Sequence, residues 1–420
     1  MSRSINLAKI IEKQLPPELV NFMWLAGEVA LGRGERVYLV GGVVRDLLLE
    51  QQNLDLDLVV EGNAIELALQ LKEVNGGEII THLRFSTAKL TWDRWSVDFA
   101  TSRSETYDKP GALPRVKPSS IDSDLSRRDF TINAMAVHLN PGDYGKLLDP
   151  CGGRNDLKKK VLRVLHEKSF ADDATRIWRA LRYEQRLGFR LERKTLSLLK
   201  RDIDMLDTVS SDRIRYEIEC ILREGYPEKI LRRAEELGVL AKLHPALKGN
   251  GWREQKFAQA RQLTSPHPPE IGLYLALIAY PLNDEEAESL ISRLNLPKSL
   301  ARTVRDTIAL KDQIRLVNIP GISPSSIYNF LDGYSAQALV ASSLATKSPT
   351  ASQNIRFFLS KLRHVEASLS GEDLMKMGVT QGPQIKEVLE LLRQARLNGR
   401  VTTREGEEEV VRSWLAERQG

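Results

Sequence analysis

The stretch VYLVGGVVRDLLLEQQNLDLDLVV, residues 37–60, decides how the chain folds. It begins with an apolar run at 37–40 that has the composition of a β-strand. The strand stops at Gly41 and Gly42, and a helix-like segment then carries the chain to Asn53. The order predicts a strand, a glycine turn, a short helix and a returning strand.

Two carboxylates mark the returning strand, predicted over residues 54–60. Successive side chains of a strand point to opposite faces, so Asp55 and Asp57 share one face while leucines form the other. Like charges held side by side repel each other, and Mg²⁺ commonly joins such oxygen ligands to substrate phosphates. Glycines at a helix start also let backbone N–H groups reach phosphate. The pattern predicts a magnesium and phosphate site; the alternative is a surface strand that alternates acidic and aliphatic residues.

The glycine pair followed by D-x-D on the next strand resembles the nucleotidyltransferase superfamily that includes DNA polymerase β. The resemblance implies transfer of a nucleotidyl group from a triphosphate, with metal ions held by Asp55, Asp57 and a third carboxylate. Asp98, in the predicted strand at 95–101, is the candidate for the third, with an edge-strand acid as the alternative. The nucleotide-binding residues expected from this first motif are Gly41, Gly42 and Arg45.

Composition sets limits on the class of protein. A chain of 420 residues predicts two to four domains. Its 61 basic and 56 acidic residues give a net charge of +5, which permits a nucleic-acid partner without requiring one. The two cysteines argue against a zinc site or a disulfide framework. No apolar run approaches the length of a membrane span, and residues 1–13 lack the apolar core of a signal peptide, which predicts a cytoplasmic protein without a membrane partner.

Secondary-structure patterns predict an α+β fold, a small mixed α/β head followed by helical neck, body and tail. Helices are expected at 5–31 and almost throughout from about 140, and short strands at 78–82, 87–92 and 95–101. Residues 103–123 have loop composition because Pro110, Pro114 and Pro118 exclude regular structure. The predicted domains are a catalytic head at 1–140, a neck at 141–225, a body at 226–345 and a tail at 346–420.

Three further segments extend the resemblance: RRDFTINAMA at 127–136, LLDPCGGRNDL at 147–157 and VLRVLHEKSFADDATRIWRALRYEQRLGF at 161–189. With the first motif they resemble the class II tRNA nucleotidyltransferases, or CCA-adding enzymes, and the related bacterial poly(A) polymerases, over residues 35–220. The resemblance implies that Arg128 and Asp129 contact triphosphate and ribose, with Asn133 in the same motif. It also implies that Asp173 and Arg176 read the incoming base.

The chemistry of that last pair agrees with its implied role. Asp173 and Arg176 are three residues apart, so a helix places both on one face. Arginine offers only donors and an ionised aspartate only acceptors. Cytosine and adenine present an amino donor beside a ring acceptor, whereas uracil and guanine reverse both groups. The pair can therefore accept C and A without a nucleic-acid template, since a mismatch leaves polar groups unpaired at ~1–3 kcal/mol each.

Basic residues continue along this helix and beyond it. At 100° per residue five arginines lie within about a third of the helix circumference, provided that Gly188 does not end the helix first. These are Arg176, Arg179, Arg182, Arg186 and Arg190, and the alternative is a solvated basic face. Arg179 and Arg182 are expected at the nucleotide and Arg186 and Arg190 at RNA. The segment at 209–217 resembles the family's next motif, which implies that Arg213 and Glu217 brace the nucleotide pocket, with packing as the alternative. The residues Lys229, Arg232 and Arg233 follow an RNA backbone or are simply solvated.

The resemblance implies a Mg²⁺-dependent enzyme in which the 3′ hydroxyl of a tRNA attacks the α-phosphate of CTP or ATP and releases pyrophosphate. The segment at 371–396 is similar to the tail that grips the outer corner of tRNA. The PGALP sequence at 110–114 departs from a single-enzyme CCA adder, so a CC-only or A-only enzyme with a partner enzyme stays open. Poly(A) polymerase is the next alternative. An RNA-binding protein without catalysis is an alternative of a different class.

Overall fold

The computed structural model describes residues 5–107, 111, 114–249 and 251–418. The chain divides into two compact units, Met1–Ile218 with Glu236–Lys242, and Glu219–Glu235 with Leu243–Gly420. The first unit holds a mixed sheet and helices, and the second is helical. The α+β fold class is confirmed, while the division into four domains stays a prediction.

The strands all lie in the first unit as far as the structure describes the chain. They are β1 Arg36–Val40, β2 Leu56–Glu61, β3 Glu78–His82, β4 Thr87–Trp92, β5 Trp95–Thr101, β6 Arg103–Thr106, β7 Arg115–Pro118, β8 Ala136–His138, β9 Leu147–Leu148, β10 Val161–Leu162 and β11 Arg190–Leu191. The first helices are α1 Ala8–Gln14, α2 Pro17–Gly32, α3 Gly42–Leu48, α4 Ala64–Asn75, α5 Ile121–Ser126, α6 Gly153–Lys159, α7 Ser169–Asp172, α8 Thr175–Leu187, α9 Arg193–Asp202 and α10 Ser211–Leu222.

The register of the sheet brings the glycine turn to the carboxylates. Among the described residues seven strands pair in the order β3-β4-β5-β2-β1-β8-β9. Strand β1 is antiparallel to β2, so Val40 lies opposite Asp57. Strand β5 is parallel to β2, so Asp98 is the other neighbour of Asp57. The end of β1 and two acidic residues therefore meet at one place on the sheet.

Burial explains why the site occupies one end of β2. Leu56 and Leu58 are buried, as the alternating pattern predicts. On the other face Val59 is also buried and packs beneath α5 with Tyr38. The face that carries the carboxylates is therefore accessible at Asp55 and Asp57, as predicted, but it is buried at Val59, contrary to the prediction. Asp55 precedes the strand, and its N–H donates to Asn53 Oδ1 at 2.9 Å.

The segment at 103–123 corrects the sequence prediction of a loop. Strands β6 and β7 form an antiparallel hairpin in which Arg103 lies opposite Pro118. The prolines do not prevent pairing, because Pro118 ends β7 and Pro114 precedes it, where a missing N–H removes no interior hydrogen bond. Pro110, Ala112 and Leu113 of the PGALP sequence lie outside the described residues.

The second unit is built from helices. They are α11 Pro227–Glu236, which straddles the unit boundary, α12 Trp252–Thr264, α13 Ile271–Ala279, α14 Asp284–Leu294, α15 Lys298–Asp312, α16 Pro324–Leu331, α17 Ala336–Ala345, α18 Pro349–Ser360, α19 Gly371–Lys376, α20 Pro383–Leu397 and α21 Arg404–Glu417. One apolar cluster joins α16 to α18, and another joins α19, α20 and α21. A search of the described residues finds no helix with both the length and the apolar character needed to cross a membrane.

Candidate active site

A single cavity of about 560 Å³ in the first unit collects most of the residues predicted to act. Its lining includes the carboxylate pair, the glycine turn, the RRD segment and the arginine face of α8. The predicted residues among its lining are Gly41, Gly42, Arg45, Asp55, Asp57, Arg128, Asp129, Asn133, Asp173, Arg176, Arg179, Arg182, Arg186 and Arg213, and Arg127 lines it beside Arg128. In the lining as described, eight arginines face five carboxylates, an excess of positive charge that suits a triphosphate anion.

The glycine turn forms one wall of this cavity. Gly41 has φ +78°, a conformation that residues with a Cβ seldom adopt. A Cβ at this position would lie 3.2 Å from Nη1 of Arg128 and 3.5 Å from Oδ2 of Asp57. Glycine is needed here for its conformation and for the close approach of an arginine and a carboxylate.

The carboxylates around β2 are crowded. Burial, together with the charges of Asp55 and Asp98, raises the pKa of Asp57 to about 6, against the opposing effect of Arg128. Asp98 does not line the cavity; its side chain is 41% exposed and pairs with Lys89 at 2.9 Å. Crowded acids of this kind favour a bound cation, so the donor set fits a divalent metal.

The protein supplies an incomplete ligand set for such a metal. Across the described ranges no group of three or more histidine, cysteine, aspartate or glutamate side chains could hold an ion. Asp55 and Asp57 therefore fit a metal that takes its remaining oxygen ligands from substrate phosphate and water, the arrangement typical of Mg²⁺.

Two arginines of the RRD segment are anchored by a buried acid. Asp124 is 0% exposed and accepts from Arg127 at 2.6 Å and from Arg128 at 3.0 Å. Burial alone would raise the pKa of Asp124, but the charges of Arg128 and Arg127 hold it below its usual value. Arg127 also donates to Glu105 at 2.8 Å, and Glu105 accepts from the Tyr107 hydroxyl at 2.9 Å. The anchoring fixes both guanidinium groups at the cavity wall.

A second chain of contacts runs behind the glycine turn. Arg45 is buried, and its guanidinium donates to Asp46 at 2.7 and 2.8 Å and to Asn133 Oδ1 at 2.8 Å. Asn133 in turn donates to Asp129 at 3.0 Å, and Asp129 pairs with Arg179 at 2.6 Å. Burial would raise the pKa of Asp129, but Arg179 and the Asn133 amide lower it below its ordinary value. Arg45 thus reaches Asp129 through Asn133, and its direct contact with nucleotide stays a prediction.

The predicted base-reading pair lies at the start of α8. Asp173 Oδ1 accepts from Arg213 at 2.7 Å, from the Thr175 hydroxyl at 2.7 Å and from the Thr175 N–H at 3.0 Å. Arg176 is 5% exposed and donates to Ser169 Oγ at 2.8 Å and to the Arg127 carbonyl at 2.7 Å. Both side chains are therefore held in place before any ligand binds.

The arginine face of α8 ends before Arg190, the last of the five arginines that the helical spacing placed on it. Helix α8 ends at Gly188, which has φ +64°, so Arg190 lies on β11, is exposed and does not line the cavity. Arg182 lies 3.8 Å from Glu217, whose pKa is raised by burial against the effect of nearby arginines. The three predicted RNA-binding residues of α11 are exposed or half-buried, and their role stays a prediction: Lys229, Arg232 and Arg233.

Some lining residues were missed from the sequence. They are Asn53, Glu105, Tyr107, Pro114 and Tyr183. Tyr183 lies seven residues after Arg176, so the helical spacing used for the arginines also pointed to it. Glu105 and Tyr107 give no signal in the sequence, because the prolines that follow them give their segment the composition of a loop.

A glycine turn beside paired carboxylates, under an arginine-rich cavity, defines a nucleotidyltransferase-type head. The family model of the Poly A polymerase head domain matches residues 37–163, and the model described as Probable RNA and SrmB- binding site of polymerase A matches residues 188–249.

Curated relatives extend the similarity along the chain. The A-adding tRNA nucleotidyltransferase of Geobacter sulfurreducens is 33% identical over 97% of this chain and 48% of that protein. The A-adding tRNA nucleotidyltransferase of Halalkalibacterium halodurans is 30% identical over 99% of this chain and 97% of that protein. The chain thus spans about half the length of the first relative and nearly all of the second.

Solved structures agree with the sequence comparisons. The Thermotoga maritima CCA-adding enzyme complexed with tRNA(CCA) is 33% identical, with a TM-score of 0.76 over 99% of this chain and 100% of that one. The chain belongs to the family of class II tRNA nucleotidyltransferases and bacterial poly(A) polymerases. Nucleotidyltransferases of this family generally use a divalent metal ion.

Proposed function

We propose that the protein adds C, A or both to the 3′ end of tRNA without a nucleic-acid template. In this reaction the tRNA 3′ oxygen forms a bond to the α-phosphorus of CTP or ATP, the bond to the bridging oxygen breaks, and pyrophosphate leaves. The hydroxyl proton passes to solvent. Both substrates are found in the cytoplasm, where we expect the protein to work.

One observation carries the proposal: the paired carboxylates and the Asp173–Arg176 pair line the same cavity. The carboxylates suit phosphoryl chemistry, and the second pair suits recognition of a base. An enzyme that selects a nucleotide without a template needs both in one place.

The phosphate end of the cavity would orient the triphosphate. Arg128, fixed by Asp124, offers N–H donors beside Asp57, and Gly41 leaves room for an oxygen to approach. Mg²⁺ held by Asp55 and Asp57 would neutralise phosphate charge and make the attacking hydroxyl more acidic. Asp129, held between Asn133 and Arg179, is suited to accept a hydrogen bond from ribose.

The base end would select the nucleotide. The three donors that reach Asp173 within the described residues all bind Oδ1, so Oδ2 is the acceptor left for the amino group of cytosine or adenine. Arg176 would donate to the neighbouring ring acceptor. Uracil and guanine would place a carbonyl against Asp173 and lose ~1–3 kcal/mol for each unpaired group.

A second candidate is an enzyme that adds only the terminal A and depends on a separate CC-adding enzyme. It is favoured by the two A-adding relatives, at 33% and 30% identity. The Thermotoga enzyme, at 33% identity and named CCA-adding, favours complete CCA addition.

The test uses three tRNA transcripts that end before CCA, after C and after CC. Each is incubated with Mg²⁺ and with CTP, ATP or both, and the products are resolved at single-nucleotide length. Extension of all three to CCA indicates a single-enzyme CCA adder, growth that stops at CC a CC-adding enzyme, and A addition confined to the CC-ended transcript an A-adding enzyme. Long A tails on every RNA would contradict the proposal and indicate a poly(A) polymerase, and no extension of any RNA would indicate a binding protein.

A further inference from the structure

A second basic cavity lies wholly within the helical unit. Its volume is about 460 Å³, within the ~300–1,000 Å³ typical of small-molecule sites. Four cations and two aromatic rings contribute to its wall, together with apolar residues of α13. We call it the Arg253 cavity and define it by Lys248, Trp252, Arg253, Tyr280, Lys311 and Lys347.

Arg253 is the central feature of this cavity. Its side chain lines the cavity, yet the residue is only 7% exposed. In the part of the chain that the structure describes, it has no hydrogen bond and no ion pair. Glu235 and Glu254 are close enough to favour its charged form, against the effect of burial, which lowers its pKa. A buried guanidinium that makes no hydrogen bond is unfavourable by itself, and an anion in the cavity would accept the hydrogen bonds that it offers.

Three lysines surround the same space from different elements. Lys248 precedes α12, Lys311 lies near the end of α15, and Lys347 lies between α17 and α18. Lys311 also donates to the Leu282 carbonyl, which holds its ammonium group. Among the described lining residues there is no carboxylate; Glu235 and Glu254, whose charges favour the charged form of Arg253, are not part of the lining.

An aromatic pair distinguishes this cavity from an ordinary cluster of lysines. The rings of Trp252 and Tyr280 are stacked, with centroids 5.9 Å apart and planes at 23°. Aromatic faces of this kind bind nucleobases by stacking, with little dependence on which base is present. The wall thus combines groups for a phosphate with groups for a base.

We propose that the Arg253 cavity binds one nucleotide, its phosphate against Arg253 and the lysines and its base against the Trp252 and Tyr280 pair. The nucleotide belongs to an RNA strand or is free in solution, and the two sources share this chemistry. The inference rests on the proposed function, because a tRNA substrate supplies the RNA strand. The site would hold its ligand by charge and stacking and would not read sequence.

The test uses the full chain with two variants, Lys347→Met and Trp252→Ala. Lys298→Met is the matched control, since Lys298 is an exposed lysine of the same unit that does not line the cavity. Binding of a CC-ended tRNA transcript is measured by fluorescence anisotropy over a range of salt concentrations. Binding of AMP is measured by equilibrium dialysis. Arg253→Met is added if its unfolding temperature matches that of the wild type.

For an RNA nucleotide, Trp252→Ala is expected to weaken tRNA binding about tenfold. Lys347→Met is expected to weaken it several-fold and to reduce the salt slope by ~0.7–0.9. Lys298→Met should stay within twofold of wild type. For a free nucleotide, the wild type should bind two equivalents of AMP and both cavity variants one, with tRNA affinity unchanged.

The proposal is overturned if both cavity variants retain wild-type tRNA affinity, salt slope and AMP stoichiometry. The proposal is also overturned if Lys298→Met weakens tRNA binding as much as the cavity variants do. That result would mean that any positive charge on the protein surface contributes equally to tRNA binding. The extension rate at saturating tRNA should be the same in all three variants. Failure of the wild type to extend tRNA at all would instead contradict the proposed function.

Discussion

The two basic cavities differ in how their charges are compensated. The cavity of the first unit has carboxylates among its arginines, and three of these arginines each pair with an aspartate, in the wall or behind it. The pairs are Arg128 with Asp124, Arg179 with Asp129 and Arg213 with Asp173. The described wall of the Arg253 cavity has no carboxylate. Fixed groups are required where reacting atoms must be aligned, whereas an excess of positive charge is enough to attract phosphate. The comparison therefore agrees with the two proposals, catalysis in the first cavity and nucleotide binding without catalysis in the Arg253 cavity.

The largest effect is expected from the reacting end of the first cavity. In the proposed function Asp57 would hold the metal ion that binds the triphosphate, so Asp57→Asn should lower the rate of nucleotide addition about 1,000-fold. Single-turnover extension of a CC-ended transcript measures it. Affinity for tRNA should stay within about twofold of wild type. A variant that keeps a tenth of the wild-type rate would show that the carboxylate pair does not carry the chemistry.

Anchoring of the arginines is expected to affect stability as well as substrate binding. Asp124→Asn leaves Arg127 and Arg128 without their buried partner, which should lower the free energy of unfolding by about 3 kcal/mol at neutral pH. Thermal unfolding followed by circular dichroism measures this loss, and the KM for ATP should rise in parallel.

The same variant gives a prediction for pH. Because the folded-state pKa of Asp124 lies below its ordinary value of 3.8, its contribution to stability is present above that value and is lost as pH falls through the folded-state pKa. The difference in unfolding temperature between wild type and Asp124→Asn should be constant from pH 5 to 7 and shrink below about pH 3.8. A difference that grows on acidification would rule out this role.

Selection of the base should respond to Asp173 with a smaller effect. Asp173→Asn replaces an acceptor by an amide that can also donate, so kcat/KM for ATP should fall about 10–100-fold while addition of GMP becomes relatively easier. The neighbouring Asp172→Asn serves as the matched control, because Asp172 does not line the first cavity. If both variants show the same ratio of ATP to GTP use, Asp173 does not read the base.

The smallest effect separates two arginines that the sequence treated alike. Arg186→Ala should raise the KM for ATP a few-fold, because Arg186 lines the first cavity. Arg190→Ala should leave it unchanged, since Arg190 lies past the end of α8 and outside the lining. Steady-state kinetics at saturating tRNA compare the two, and equal effects would contradict the assignment.

The sequence predicted much of the fold because its strongest signals are local. Alternation in β2 and β5 and the helical spacing of α8 require no long-range contact. The hairpin of β6 and β7 escaped prediction because prolines at strand ends resemble prolines in a loop. The sequence left open whether α8 ends at Gly188 or continues to Arg190. The positive φ of Gly188 ends the helix there.

Prediction of the site had a similar limit. The family's motifs predicted most of the residues that line the first cavity. They did not predict the buried residues that fix those side chains in position. Asp124 could not be singled out, since nothing in the sequence distinguishes it from Asp122 of the same short helix or shows that it will be buried against two arginines. The Arg253 cavity likewise draws on residues from 248 to 347 that become neighbours only when the helices pack.

The central claim is that one cavity holds both the triphosphate and the base of the incoming nucleotide. A crystal structure with Mg²⁺ and a non-hydrolysable ATP analogue tests it most directly. The account predicts the adenine amino group within hydrogen-bonding distance of Asp173 Oδ2 and the triphosphate between Arg128 and the Asp55–Asp57 pair. A base bound away from Asp173, or a triphosphate outside this cavity, would contradict it.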